Sequence, residues 1–569
     1  MSTQDKLPDT FDAIVVGSGI SGGYAAMELC KKGYKTLILE RGRDVKHIED
    51  YDTANDDTWD LPYNGRVPKE EIKKHYFKQD RLNWWVNQDN KAFVNKDDEY
   101  PYDEIERFDW IRGHHLGGRS IMWGRHCYRW SDIDFEANKK EGVAIDWPIR
   151  YADIEPWYDQ VETFVGVSGQ AEGLKQVPDG KFLKPFELNC AEQDFREKVN
   201  AQYPERVVTP GRIANLSEYD PEVHLGTRGQ CQTRNRCWRG CPFGAYFSSQ
   251  SATLPVARET GNLTVRPFSI AAEVLYDDAT QRATGIRVID ANSGEEHIFK
   301  AKIIFCNAST VGTTALLLNS RSRCFPNGLG NDSGELGHNL MDHHYGMGAG
   351  AEFPGFEDTY YQGRKANGFY IPRFRNIDEE TKREDYLRGF GYQGNISRGR
   401  SIPDEKIGVD LKEDIFKPGP YTVSVACFGE MLPYHENRMF LNFEKRDQHG
   451  MPIITFDAKL RDNEMKLRED GVQCAVEMLE AAGCKNIWTY NDLTAPGACI
   501  HEMGTARMGN DPETSVLNKW NQIHAVPNVF VTDGSCMTSS GTQNPSITYM
   551  ALTARAVDYA DKQMKAGVL

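Results

Sequence analysis

FDAIVVGSGISGGYAAMELCKKGYKTLILE, residues 11–40, decides the fold. The apolar, β-branched run FDAIVV leads straight into GSGISGG, and AAMELCKKG then carries the apolar spacing of a helix closed by a glycine. A second apolar run, KTLILE, ends on Glu40. Strand, glycine turn, helix and strand, with an acid about twenty residues beyond the glycines, is the fingerprint of a dinucleotide site. Gly17 permits the tight turn, Gly19 lets the backbone approach a pyrophosphate, and Gly22 lets the helix pack closely on the strand. The helix N-terminus then faces an anion, and Glu40 is placed to accept hydrogen bonds from ribose hydroxyls. A glycine-rich turn without a ligand is the bland alternative, and the βαβ context disfavours it.

Outward from this segment, 569 residues exceed what one hydrophobic core serves, so two domains interleaved in sequence are expected. A formal charge of −16 would repel phosphate backbones and anionic lipid heads, which argues against nucleic acid as a partner. No run of about 18 apolar residues occurs, so no membrane span is expected. The polar opening MSTQDKLPDT reads as carrying no signal peptide of its own. Thirteen cysteines, an odd number scattered through a long chain, fit reduced thiols better than a disulfide framework. The cytoplasm is the default compartment, with the periplasm reached only alongside a signal-bearing partner.

Residues 45–110 are rich in Asp, Asn, Lys, Tyr and Trp without a clean period, and read as a long surface excursion of the kind that covers a site. A second βαβ-like region is expected from Gly261, with a hairpin turn at Asn292-Ser293-Gly294 and a buried strand, IIFCNA, returning to the nucleotide domain. Residues 345–430 hold many aromatics with Gly and Pro throughout, which suits a sheet shaping a substrate pocket. The nucleotide domain is therefore assigned to residues 10–150, 250–345 and 490–569, and the substrate domain to 151–249 and 346–489. No internal repeat is present.

Two C-terminal segments carry chemistry: His501 in CIHEMGTARMG and, 43 residues on, Asn544 in GTQNPSITYMAL. An alcohol gives up hydride only if its hydroxyl proton also leaves, so the site needs a neutral base beside the carbinol and a polar group holding its oxygen. His501 and Asn544 are the candidates, and activity is then expected to fall at acid pH as the imidazole becomes charged. Asn544 also reads as an N-cap, with Pro545 in the first helical position and the positive end of the helix dipole beside it. A satisfied core histidine is the alternative for His501.

Five ordered segments together resemble the glucose-methanol-choline (GMC) oxidoreductase family. They are the N-terminal fingerprint, RGHHLGGRSIMWG from Arg112, GELGHNLMDH from Gly334, HEMGTARMG from His501, and NVFVTDGS from Asn528 with NPSITYMALTARAVDY. The resemblance implies an α/β chain: a Rossmann-like FAD-binding domain with an interleaved α+β substrate domain built on an antiparallel sheet. It implies FAD in place of NAD, and His501 and Asn544 as the active pair, with hydride passing to flavin N5 and the hydroxyl proton to His501. It also implies that Asp533 and Gly534, otherwise an ordinary Asp-Gly turn, contact the phosphate or ribityl region, and that Gly117 and Gly118 lie against the isoalloxazine. Met122 stands where some members attach FAD through a histidine, so non-covalent FAD is expected; His126, four residues on, could reverse that.

GQCQTRNRCWRGCPFGAY places Cys231, Cys237 and Cys241 within eleven residues, the last followed by proline. Cysteine thiolates at short spacings hold iron–sulfur clusters, and three ligands suit a three-iron, four-sulfur (3Fe-4S) cluster. Arg228, Arg234, Arg236 and Arg239 would offset its negative charge. Bacterial sugar dehydrogenases of the family that pass electrons to a cytochrome carry a cluster at a similar segment, whose first interval is one residue shorter than here. A zinc knuckle completed by His224 and plain unligated thiols are the other readings.

The resemblance and the polar aromatics of the second domain lead to one leading expectation: FAD-dependent oxidation of a secondary alcohol of a sugar or glycoside. The C-terminal motifs resemble pyranose oxidases and glycoside 3-dehydrogenases more than choline or aryl-alcohol enzymes, which points to a keto-sugar product oxidised at C3. Electrons would pass to an acceptor other than oxygen, through a small subunit and a cytochrome partner. An oxidase making hydrogen peroxide from dioxygen is the alternative. A lyase keeping FAD only for structure, and a subunit whose main task is docking in an electron-transfer complex, are further readings.

Overall fold

A computed structural model describes residues 8–82, 85–360, 363, 367–399 and 405–569. Five parallel strands form its nucleotide half, in the order Val526–Val531, Glu296–Cys306, Thr10–Val16, Thr36–Leu39 and Leu263–Arg266. A strand covered on both faces has no solvent side to spare for polar residues. The central strand accordingly buries Ala13, Ile14 and Val15 completely. The glycine loop follows its C-terminal end, where open α/β sheets bind their ligands. The helix Ile20–Lys31 leaves that loop and packs against the C-terminal helix Ser546–Lys565.

Beyond Gly261 the chain departs from the expected βαβ unit. The strands Ser269–Asp277, Arg282–Asp290 and Glu296–Cys306 run antiparallel in succession, and a helix, Ser309–Asn319, comes only after the third. The period-two alternation of this stretch leaves no helical face to bury. The expected turn through Asn292-Ser293-Gly294 is present, with Gly294 in the left-handed region at φ 75°.

The second half is built on six antiparallel strands, in the order Lys485–Asn491, His344–Phe353, Tyr421–Gly429, Phe390–Arg398, Phe369–Ile371 and Thr209–Pro210. The helix Asp462–Ala481 covers it, burying Leu467, Cys474, Met478 and Leu479 against Val423, Val425 and Cys427. The strands Arg438–Arg446 and Pro452–Asp457, assigned to the substrate half, form a separate sheet with Asp103–Glu104 and pack Met439 and Phe456 with Phe108 and Val311. The helix Tyr151–Val165, placed by sequence with the substrate half, buries Ile154, Tyr158 and Val161 in the nucleotide core and packs on the C-terminal helix. Tyr158 bonds Thr548 of that helix at 2.8 Å.

Residues 45–110 are largely irregular, interrupted by the short helix Lys69–His75. All thirteen cysteines are unpaired thiols. Among the described residues no helix is long and apolar enough to cross a membrane.

Candidate active site

A cavity of about 580 Å³ runs between the two halves and is lined by Gly17, Gly19, Glu40, Gly118, Met122, His126, Asp533 and Gly534, and also by His501 and Asn544. The glycines divide into those that shape the wall and one that faces space. At Gly17, φ 95°, a Cβ would meet Asn307 O at 2.3 Å, and at Gly22 it would meet Gly17 O at 2.0 Å. At Gly19 it would meet nothing within 4 Å. Gly117 lies behind the wall against Gln250, while Gly118 brings the loop 112–124 onto Gly19, its Cβ position 3.4 Å from Gly19 Cα. Glu40 is buried and accepts from Ser18 N at 3.3 Å and Gly42 N at 2.9 Å. Asp533 accepts from Ser535 N at 3.0 Å and Thr313 Oγ1 at 2.6 Å, which fixes the turn beneath Gly534.

The same wall leaves buried polar atoms without a partner: Asn307 Nδ2, Tyr549 OH and Arg41 Nε. Buried donors are ordinarily satisfied, so their alignment along one cavity fits a polar cofactor. The glycine loop, Glu40 and Asp533 would hold FAD here. Gly19→Ala is therefore expected to fold normally and to bind FAD about ten- to a hundredfold more weakly, since a methyl forced into an occupied space costs ~1–3 kcal/mol. Titrating FAD into apoprotein checks this against the thermal stability of the same variant.

His501 and Asn544 meet as the sequence suggests, His501 Nε2 lying 3.3 Å from Asn544 Nδ2. The other ring nitrogen faces a partner that sequence reading did not assign: His501 Nδ1 lies 2.8 Å from His343 Nδ1, the two rings nearly perpendicular at 79°. His343 Nε2 in turn bonds the main-chain oxygen of Gly541. This chain of contacts determines every proton. A carbonyl oxygen only accepts, so His343 Nε2 carries hydrogen and, the ring being neutral, its Nδ1 offers a lone pair. His501 Nδ1 must then donate, which leaves its Nε2 as a bare lone pair facing the cavity. Burial holds both rings neutral, pushing His343 down to about 4 and His501 well below the usual histidine range, where His343, Arg119 and His126 add repulsion.

The loop carrying His501 is clamped by Asp342. Its carboxylate accepts from the backbone N–H of Gly497 at 2.8 Å, Cys499 at 3.1 Å and His501 at 3.0 Å. Burial and the neighbouring Glu502 raise Asp342 to about 7. Ile500, directly before His501, is held at φ 69°, a conformation a β-branched residue rarely adopts. Arg119 pairs with Glu502 at 2.8 Å, securing the other side of the loop. His343 and Asp342 both lie in the GELGHNLMDH segment, so the motif was visible though the roles within it were not.

Asn544 is not the helix cap that the sequence suggests. The Ser546–Lys565 helix has no side-chain cap, because the Asn544 carboxamide is engaged elsewhere. Its Oδ1 accepts from Gln393 Nε2 at 2.8 Å, which turns its Nδ2 toward His501. Gln393 comes from the strand Phe390–Arg398 of the second sheet, and nothing in the sequence marked it. His126 lines the cavity with its Nδ1 2.9 Å from Tyr128 OH.

Cys231, Cys237 and Cys241 are half-buried in a loop whose residue Trp238 reaches the cavity wall. A single zinc needs thiolates about 4 Å apart. Among the described residues only one trio of His, Cys, Asp or Glu ligand atoms closes within 4.8 Å, and it is not in this loop, so these thiols do not stand at zinc spacing. His224 is turned to accept from Asp220 N at 3.0 Å. Three of the four arginines also face away: Arg234 bonds Ala54 O, Arg236 bonds Asn55 O at 2.8 Å, and Arg239 bonds Asp89 at 3.1 Å. Arg228 is buried near Cys241, with its Nη2 unpartnered.

Two family models described as GMC oxidoreductase match this chain, one over residues 218–345 and the other over 433–553, and a Rossmann-like NAD(P)-binding model matches residues 15–65. The 2-methyl-1,2-propanediol dehydrogenase of Mycolicibacterium austroafricanum is 27% identical over 98% of this chain and 96% of its own. The fructose dehydrogenase large subunit of Gluconobacter japonicus is 26% identical over 98% of each chain. A solved formate oxidase from Aspergillus oryzae aligns with a TM-score of 0.63 and 14% identity, covering 99% of this chain and 100% of that one, which establishes likeness of fold.

Proposed function

This chain belongs to the GMC oxidoreductases, FAD-dependent enzymes acting on CH–OH groups, and from that premise we propose that it oxidises a secondary alcohol of a sugar or glycoside and delivers the electrons to an acceptor other than oxygen. The observation that carries the reading is the His501 Nε2 lone pair set opposite the Asn544 amide on the cavity wall. Tyr345, Phe428, Trp123 and Gln393 line the same cavity and offer flat apolar faces beside hydrogen-bonding edges, a surface suited to a carbohydrate ring. The named sugar dehydrogenase among the relatives supports the substrate class.

Bound FAD supplies the two-electron acceptor for the hydride of the carbinol carbon. The protein does the rest. A substrate hydroxyl entering between His501 and Asn544 donates to Nε2 and accepts from Nδ2, so one oxygen is held from two sides. As the C–H bond breaks, Nε2 takes the hydroxyl proton, and the charge it gains is shared through Nδ1–H with His343. Gln393 keeps the Asn544 amide from rotating, and the Asp342 clamp keeps the imidazole from drifting.

The base works only when neutral, and its folded pKa is depressed, so it stays neutral at every pH above that lowered value. The acid limb of kcat/KM is expected below the ordinary histidine range of about 6.5. A limb at or above that range would mean that another group titrates. Dehydrogenase and oxidase are separated by adding glycosides to the FAD-loaded enzyme in air and without oxygen. Flavin bleaching in both, with peroxide far below the rate seen with an artificial dye acceptor, is expected; peroxide formed at the full turnover rate would make it an oxidase.

The cysteine loop supports a second element of the proposal, a 3Fe-4S cluster on Cys231, Cys237 and Cys241. Burial lowers Arg228 to about 9, with Tyr219 and then Cys241 as the neighbouring groups that oppose the shift. A buried guanidinium with an unpartnered nitrogen fits an anionic group at that thiol. Trp238 adjoins Cys237 and lines the cavity, so such a cluster would lie near bound FAD, on a route toward a small subunit and a cytochrome. Iron and acid-labile sulfide analysis of purified protein decides between the cluster and bare thiols.

A further inference from the structure

Cys499 places its Sγ 3.6 Å from His501 Nδ1, the nitrogen that faces away from Asn544, and His343 Nδ1 lies 2.8 Å from the same atom. Among the described residues this is the one trio of His, Cys, Asp or Glu ligand atoms that all lie within 4.8 Å of one another. Tetrahedral zinc, with its short bonds to sulfur and nitrogen, sets a bound S and N about 3.6 Å apart and two bound N about 3.3 Å apart. The sulfur–nitrogen distance already matches, and the two imidazoles need to part by about half an ångström. The His343 Nε2 bond to Gly541 O is the outer contact that metal-ligating histidines keep. Cys499 and His501 both line the cavity, so an ion can arrive by the substrate's route and take water as a fourth ligand. Burial, with Asp342 and Glu502 beside it, pushes the Cys499 thiol up, so the thiolate forms only with a bound cation.

We propose that His343, Cys499 and His501 form an inhibitory site for a thiophilic divalent cation such as zinc, and that its binding disables the proton acceptor by reversing the His501 tautomer. The balance is simple and involves no redox change. The Cys499 thiol releases its proton to solvent and binds as thiolate. The His501 Nδ1 lone pair becomes a ligand, so the ring's single proton moves to Nε2. That nitrogen then presents N–H to the carbinol and cannot accept from it. The loss of turnover rests on His501 being the base; the binding itself does not.

Cobalt(II) reports the site spectroscopically, because tetrahedral thiolate–cobalt bands lie at longer wavelength than oxidised flavin. FAD-loaded wild type, Cys499→Ser and a Cys231→Ser/Cys237→Ser control are titrated with cobalt, and their alcohol-dependent turnover is measured against zinc with chelator reversal. Wild type and the control should each gain bands that Cys499→Ser lacks. Cys499→Ser, relative to its own zinc-free rate, should need at least about tenfold more zinc for half inhibition. Should that serine variant fail to fold, His343→Gln takes its place with the same expectations. Equal bands and equal zinc sensitivity in wild type and variant would overturn the site, as would bound zinc that leaves turnover untouched. Cysteine-dependent bands in an enzyme that oxidises no alcohol would sink the proposed reaction and leave the metal site standing.

Discussion

Replacing His501 with alanine is expected to slow flavin reduction by about 10²- to 10⁴-fold, the span associated with loss of a positioned general base. The size follows from the direction of the proton chain. His501 sets its Nε2 lone pair opposite Asn544, and His343, one step behind it, is turned inward to Gly541. FAD content should not change, because the glycine loop, Glu40 and Asp533 hold their places without His501. Single-turnover reduction under anaerobic conditions reads the effect directly. A variant that reduces its flavin within tenfold of wild type would show that the proton leaves by another route.

Asn544→Ala should cost nearly as much in kcat, about 10²- to 10³-fold, the loss seen when one donor to a developing oxyanion is removed. The carbinol oxygen gathers negative charge as its proton departs, and the Asn544 Nδ2–H is the donor set toward it. Thermal stability should fall only modestly, by about 1 kcal/mol for the lost bond to Gln393, since the side chain caps no helix. That pairing of a large kinetic and a small stability effect separates a substrate contact from a structural one. Asn544→Asp sharpens the contrast. A carboxylate beside Nε2 would favour the imidazolium, raise the His501 pKa and shift the acid limb toward neutral pH. An acid limb that stays in place in this variant would mean that residue 544 does not face the base.

Much of this was legible in residues 11–40 and in the C-terminal segments because each reading there rests on local geometry. Gly17 and Gly22 answer to backbone approach, and an apolar run such as IIFCNA can only be a buried strand in its context. What escaped reading was relational. Gln393 sits in an ordinary strand, and its meaning arises only when the second sheet is laid against the C-terminal helix. His343 was inside a recognised segment, yet its role depends on a main-chain oxygen 198 positions away. The cap assigned to Asn544 failed for the same reason: a local preference lost to two long-range partners, His501 and Gln393. The helix Tyr151–Val165 misled because its buried face records that it packs and not against what.

The Gly541 carbonyl that starts the proton chain belongs to no side chain. Substitution can strip His343, His501 or Asn544 of function one at a time, but it cannot turn a main-chain acceptor into a donor. The sense in which the His501 ring points is thereby written into the path of the polypeptide itself, and descendants of this sequence are free to remodel the second sheet without relearning which nitrogen must stay bare.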